Sequence, residues 1–260
     1  MKHVISEIAS LTDKYILKAT LILFSVIAFL YAVSNDEGIN AQELCLAIFG
    51  GVRCGTNYSD ISRAAIWLLT QIPLLSLLGV YFSSDFSSRI FFAVVRSQSA
   101  IKWWNCRFIS TVIFSAAYAM CSFVLVFFIG TLFGSQQKII DNISLLFAIL
   151  CMYTLGCIFL SVFMLTLTVW LCDLKKTLIY VTVSLTVCIE FGWIFPASNP
   201  YLIFTLSMLK RSRLIDAEYG FSLWHAALFM TLLCTVLFFI GRYVCGKFLT
   251  KLQKNDFGGC

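Results

Sequence analysis

The groups in this sequence that could do chemistry are one carboxylate, one pair of thiols and one stripe of aromatic and basic side chains. Glu190 is the only acid inside a long apolar run, just before Gly192 and Trp193. A carboxylate at membrane depth is costly, so it faces protein, water or a partner. Two readings stay open: a substrate-pathway or gating group, or a boundary residue reaching interfacial water beside Trp193. Cys45 and Cys54 stand on either side of Gly50 and Gly51. On an oxidising face they form either a disulfide that pins their loop or two free thiols. No CxxC spacing supports a redox pair or a zinc site.

The third group is the segment Ser83 to Arg107, too polar to span lipid. Phe86, Ile90 and Val94 recur at helical spacing with Phe91 beside them, while Arg89 and Arg96 project elsewhere. Trp103 and Trp104 follow, where amphipathic rings favour the lipid boundary as interface anchors. No phosphate loop, HExxH pair or GxSxG elbow occurs, and His3 and His225 are the only histidines. The chain is therefore read as no enzyme, with no metal site.

These groups sit in a lipid-embedded frame. The 260 residues are 60% hydrophobic and 12% charged, against roughly 25% charged in an ordinary soluble domain. Runs of about 18 or more apolar residues can cross the bilayer as helices. Six are present: Tyr15 to Val33, Arg63 to Phe82, Phe108 to Phe133, Ile143 to Leu171, Leu178 to Phe195 and Leu223 to Cys245. They do not alternate as barrel strands would. The expected fold is an all-α integral membrane bundle of six transmembrane helices forming one domain over residues 1–260. The first run is read as a retained anchor rather than a removable signal.

Of the 19 Lys and Arg, all but Arg53, Arg63, Lys138, Lys210, Arg211 and Arg213 fall on one side of this frame. The positive-inside rule then puts both termini in the cytoplasm. The net charge of +6 is a topology signal, and no nucleic-acid partner is implied. Residues 1–14 form a cytoplasmic arm, either a short interfacial helix or a solvated segment. Within the first outer loop, Ala41 to Phe49 reads as a helix ended by Gly50 and Gly51. Asn57-Tyr58-Ser59 and Asn142-Ile143-Ser144 match glycosylation triplets, which say nothing about function. After Pro196, the apolar stretch Tyr201 to Leu209 is too short to cross the bilayer. Residues 196–222 are read as a re-entrant or interfacial helical hairpin, or else as a loop packed on its own bundle.

Six spans, a basic amphipathic segment between spans two and three and a short apolar hairpin between spans five and six resemble the ABC-2 type (type V exporter) permeases of ATP-binding cassette transporters. The residues carrying the match are Asp85, Arg89 and the run Arg96-Ser97-Gln98-Ser99-Ala100-Ile101-Lys102-Trp103-Trp104-Asn105-Cys106-Arg107. That run is similar to the cytoplasmic approach to span three in bacterial peptide and bacteriocin export permeases. The resemblance implies a second permease copy or paralogue and two cytoplasmic ATPase subunits that hold ATP and magnesium. It further implies an ATPase-coupling helix formed by Asp85, Phe86, Arg89, Ile90, Phe91, Val94 and Arg96. The hairpin would form the outer gate, with Glu190, Trp193, Tyr201 and Phe204 along the substrate path. The expected function is the membrane subunit of an exporter for a peptide or lipid-like molecule in a bacterial inner or plasma membrane. The alternatives are a non-transporting immunity, sensor or interaction subunit and an ion-coupled carrier working through Glu190.

Overall fold

A computed structural model describes residues 14–33, 39–53, 60–86, 99–133 and 142–257 of the chain. Seven α-helices are described: α1 (Lys14–Val33), α2 (Ala41–Phe49), α3 (Asp60–Phe86), α4 (Ala100–Phe133), α5 (Ile143–Leu171), α6 (Leu174–Ile194) and α7 (Leu223–Phe257). There is no strand among the described residues. Five stretches are long and apolar enough to cross a membrane: Arg63–Phe82, Ala100–Phe133, Ile143–Leu171, Leu174–Ile194 and Leu223–Lys247. Within α1 the apolar helix described is Ile22–Tyr31.

Local signals explain where the helices stop and start. Asn40 caps α2 in a reciprocal box, its Oδ1 accepting from the Glu43 N–H at 2.8 Å while a Glu43 carboxylate oxygen accepts from the Asn40 N–H at 3.3 Å. Asn142 caps α5 by accepting from the N–H groups of Ser144 and Leu145. Its glycosylation-like triplet is thus a helix start. Between α5 and α6 only Cys172 and Asp173 intervene. Cys172 takes the left-handed conformation (φ 51°) and donates its N–H to Thr168 O at 2.9 Å. Asp173 Oδ1 then accepts from the Lys175 and Lys176 N–H groups. So short a link makes α5 and α6 antiparallel neighbours.

Helices α4 and α5 form the axis of the bundle. α4 packs on α1, α2, α5 and α7, and α5 packs on α3, α6 and α7 as well. α4 starts at Ala100, earlier than the apolar run from Phe108 suggests, and extends for 34 residues, about 51 Å at 1.5 Å per residue. Trp103, Trp104 and Arg107 therefore lie on a helix inside the bundle. This corrects the expectation that the two tryptophans anchor a lipid boundary. Trp104 is fully buried and donates its indole N–H to Phe238 O on α7 at 3.0 Å. Trp103 is buried beside the Arg107 guanidinium.

Residues 196–222 are not an α-helical hairpin. They form 3-10 turns at Pro196–Tyr201, Ile203–Thr205 and Leu209–Arg211, folded onto the bundle. Thr205 to Ser212 are buried throughout. Cys45 is a buried thiol in α2. Burial pushes it up to about 12. Its suggested partner Cys54 lies outside the described residues.

Candidate functional site: a polar seam under a basic cap

One end of the bundle is closed by α2 and the 196–222 cap. Lys210 donates its backbone N–H to Gly50 O at 2.9 Å and its ammonium to Ala47 O at 3.5 Å, satisfying carbonyls at the end of α2. A cation there also complements the helix dipole. Arg211 is fully buried and ties three segments together: Nε donates to Val52 O at 3.1 Å and a terminal nitrogen to Ile189 O on α6 at 3.0 Å. A side chain at Gly192 would collide with this guanidinium. Gly51, at φ +77°, turns the chain where Met208 lies against it. Asn199, also fully buried, donates its amide to Arg211 O and Tyr219 O at 3.2 and 3.3 Å.

Beneath the cap runs a polar seam shared by three spans. Pro73 interrupts α3 and has no N–H, so the backbone of that turn loses a donor. In the same turn the Tyr118 hydroxyl of α4 donates to Thr70 O at 2.8 Å; the carbonyl that Pro73 leaves without its helical donor is that of Leu69, four residues back. Gln71 donates its amide to Thr70 Oγ1 at 3.3 Å, and its carbonyl oxygen accepts from the Cys157 thiol of α5 at 3.9 Å. Tyr153 and Ser122 complete the group. The Phe49 ring of α2 lies 4.4 Å from the Tyr153 ring, tilted at 44°, and Ser207 of the cap lies against Gly156, next to Cys157. The cap therefore reaches the top of the seam. A cavity of about 120 Å³ between α1 and α4, lined by Thr20, Phe24, Phe114, Tyr118 and Ser122, opens beside it. The seam offers neutral hydroxyls and an amide and no charged side chain, so it can hydrogen-bond a polar group in lipid.

The sequence-predicted site residues fall in different places. Glu190 and Tyr201 are exposed on the outside of the bundle, and Trp193 is half-buried. Phe204 packs inward, with ring centroids 5.6 and 5.2 Å from Phe159 and Phe163 of α5. The four do not converge. Asp85 and Phe86 end α3. Arg89, Ile90, Phe91, Val94 and Arg96 lie outside the described residues. Sequence reasoning passed over Arg211, Asn199 and the seam. For the seam, the signal available was the run Thr70-Gln71 just before Pro73 in an apolar span.

The opposite end of the bundle carries exposed cations at Lys102, Lys175, Lys176, Arg242 and Lys247. Comparison with protein-family models, curated proteins and solved structures finds no match for this chain.

Proposed function

We propose that this chain is the membrane-spanning subunit of an ATP-binding cassette exporter, moving a peptide or lipid-like substrate with energy from separate ATPase subunits. In this reading α1 is a sixth span, both termini and the cationic end face the cytoplasm, and the capped end faces outward. The observation that carries the reading is the polarity of the bundle. One end is closed by α2 and residues 196–222 over a neutral polar seam, while the other presents exposed cations and the connection between α3 and α4. That connection holds Arg89, Ile90, Phe91, Val94 and Arg96, the apolar and basic groups that would fill a groove on an ATPase and meet its acidic rim.

The seam's hydroxyls and amide suit amide-rich or headgroup-like cargo better than a bare ion. Glu190 is exposed on the outside of the bundle, which weighs against routing an ion through the seam by way of it. Two permease copies and an ATPase pair that binds ATP and magnesium would complete the machine. The test is co-purification of a soluble protein bearing nucleotide-binding motifs, with its hydrolysis measured for wild type, Phe91→Ala and Arg96→Glu. Hydrolysis that falls with either change supports coupling. A bound partner whose hydrolysis is indifferent to both points to a non-transporting interaction subunit.

A further inference from the structure

At the cationic end, Phe239, Arg242, Tyr243, Gly246 and Lys247 of α7 recur at three- and four-residue spacing and share one helix face. With Ile101 at the start of α4 they line an open groove of about 490 Å³. Tyr243 and Phe239 are exposed, and the Lys247 ammonium lies 4.7 Å over the Tyr243 ring. At Gly246 an added Cβ would meet nothing within 4 Å. The groove floor is therefore open at that point.

The order of these groups along the helix is that of a phospholipid. Ile101 and Phe239 form an apolar wall on the span side. Arg242 and then Lys247 follow toward the helix end, three and eight residues beyond Phe239, or about 4.5 and about 12 Å along the axis. Arg242 is exposed and makes no ion pair among the described residues.

We infer that this groove binds an anionic phospholipid, its acyl chain against Ile101 and Phe239 and its phosphodiester between Arg242 and Lys247. A guanidinium accepts a phosphodiester in a two-pronged hydrogen-bonded geometry, and the ammonium adds a point charge. Basic pockets between spans at a membrane face hold acidic headgroups in this way. The site stands independently of the exporter reading.

The test uses the full purified chain in detergent. It is titrated with phosphatidylglycerol, with phosphatidylcholine of the same acyl chains, and with inorganic phosphate. Thermal unfolding midpoints and retained lipid in native mass spectra are recorded. Phosphatidylglycerol should raise the midpoint and remain bound, and phosphatidylcholine should do neither. Replacing both Arg242→Gln and Lys247→Gln should weaken phosphatidylglycerol binding about 30-fold, at about fivefold per basic group near a membrane surface. Gly246→Leu fills open space, so it should keep the wild-type midpoint in phosphatidylcholine yet lose phosphatidylglycerol retention. Equal retention of the two lipids would overturn the site. So would a shift by inorganic phosphate alone that matches the lipid's, or wild-type phosphatidylglycerol retention in both variants.

Discussion

Two guanidiniums are buried near opposite ends of this bundle, and they are held by different means. Arg211, under the cap, is gripped by backbone carbonyls from two remote segments, Val52 and Ile189. Arg107, near the cationic end, lies with its Cζ 4.4 Å from the Tyr81 ring and 5.9 Å from the Trp103 ring. A carbonyl is a directed acceptor that must be paired once buried, whereas a ring face accepts a cation over a broad range of approach. The hold on Arg211 is therefore direction-specific, and at Arg107 two ring faces add a hold that tolerates a broader range of approach.

Breaking the hold on Arg211 should have the largest effect. Arg211→Met removes two charge-assisted bonds and leaves the Val52 carbonyl without this donor, a loss of about 3 kcal/mol or more. Arg211→Lys should recover little, because one ammonium cannot reproduce the fork. Unfolding midpoints in detergent measure both, and a midpoint near wild type for Arg211→Met contradicts that hold. Next comes the contact of α4 with α7. A side chain at Gly241 would run into the Trp104 indole, so Gly241→Leu should cost about 1–3 kcal/mol by overpacking. Trp104→Phe, which keeps much of the bulk but drops the bond to Phe238 O, should cost about 1 kcal/mol.

The ring contacts at Arg107 should yield least among the buried groups. Tyr81→Leu leaves Arg107 without its nearer ring and should cost about 1 kcal/mol, well under the Arg211→Met value in the same assay. A comparable loss at both sites would erase the distinction between them.

The smallest effect concerns pH. The Asp173 carboxyl is held below the usual carboxylate range, chiefly by its hydrogen bond from the Lys176 N–H, with the Lys176 ammonium 3.5 Å away. Because its folded value is lowered, its stabilisation is present above the unfolded carboxylate range and is lost as pH falls through the folded value. Asp173→Asn should flatten the acid side of the stability profile while leaving the neutral midpoint nearly unchanged, as Asn still caps.

The frame of this molecule was legible because lipid dictates it: long apolar runs become helices, and Gly50 and Gly51 end α2 where their types require. The short apolar stretch after Pro196 folds as 3-10 turns on the bundle. Its form was not legible, because a 3-10 chain folded on the bundle depends on carbonyls at the ends of α2 and α6, far away in sequence. The burial of Lys210 and Arg211 follows from carbonyls at Ala47, Gly50, Val52 and Ile189, which the sequence places far from both. Trp103 and Trp104 show the converse error. Hydropathy placed them at a lipid boundary, whereas an earlier start to α4 turns them toward α3 and α7. Thr70, Gln71 and Pro73 are plain in the sequence, but the Tyr118 hydroxyl that meets the Thr70 carbonyl comes from another span, 48 residues away.

Coupling to an ATPase requires the cationic end of the bundle to face the cytoplasm. Single cysteines at Lys176 and Arg213, in a cysteine-free background, should be treated with a membrane-impermeant maleimide on intact spheroplasts and on inverted vesicles. Labelling of position 213 only on spheroplasts, and of position 176 only on inverted vesicles, is the predicted result. The reverse pattern would set the cap toward the cytoplasm and contradict coupling of the cationic end to an ATPase.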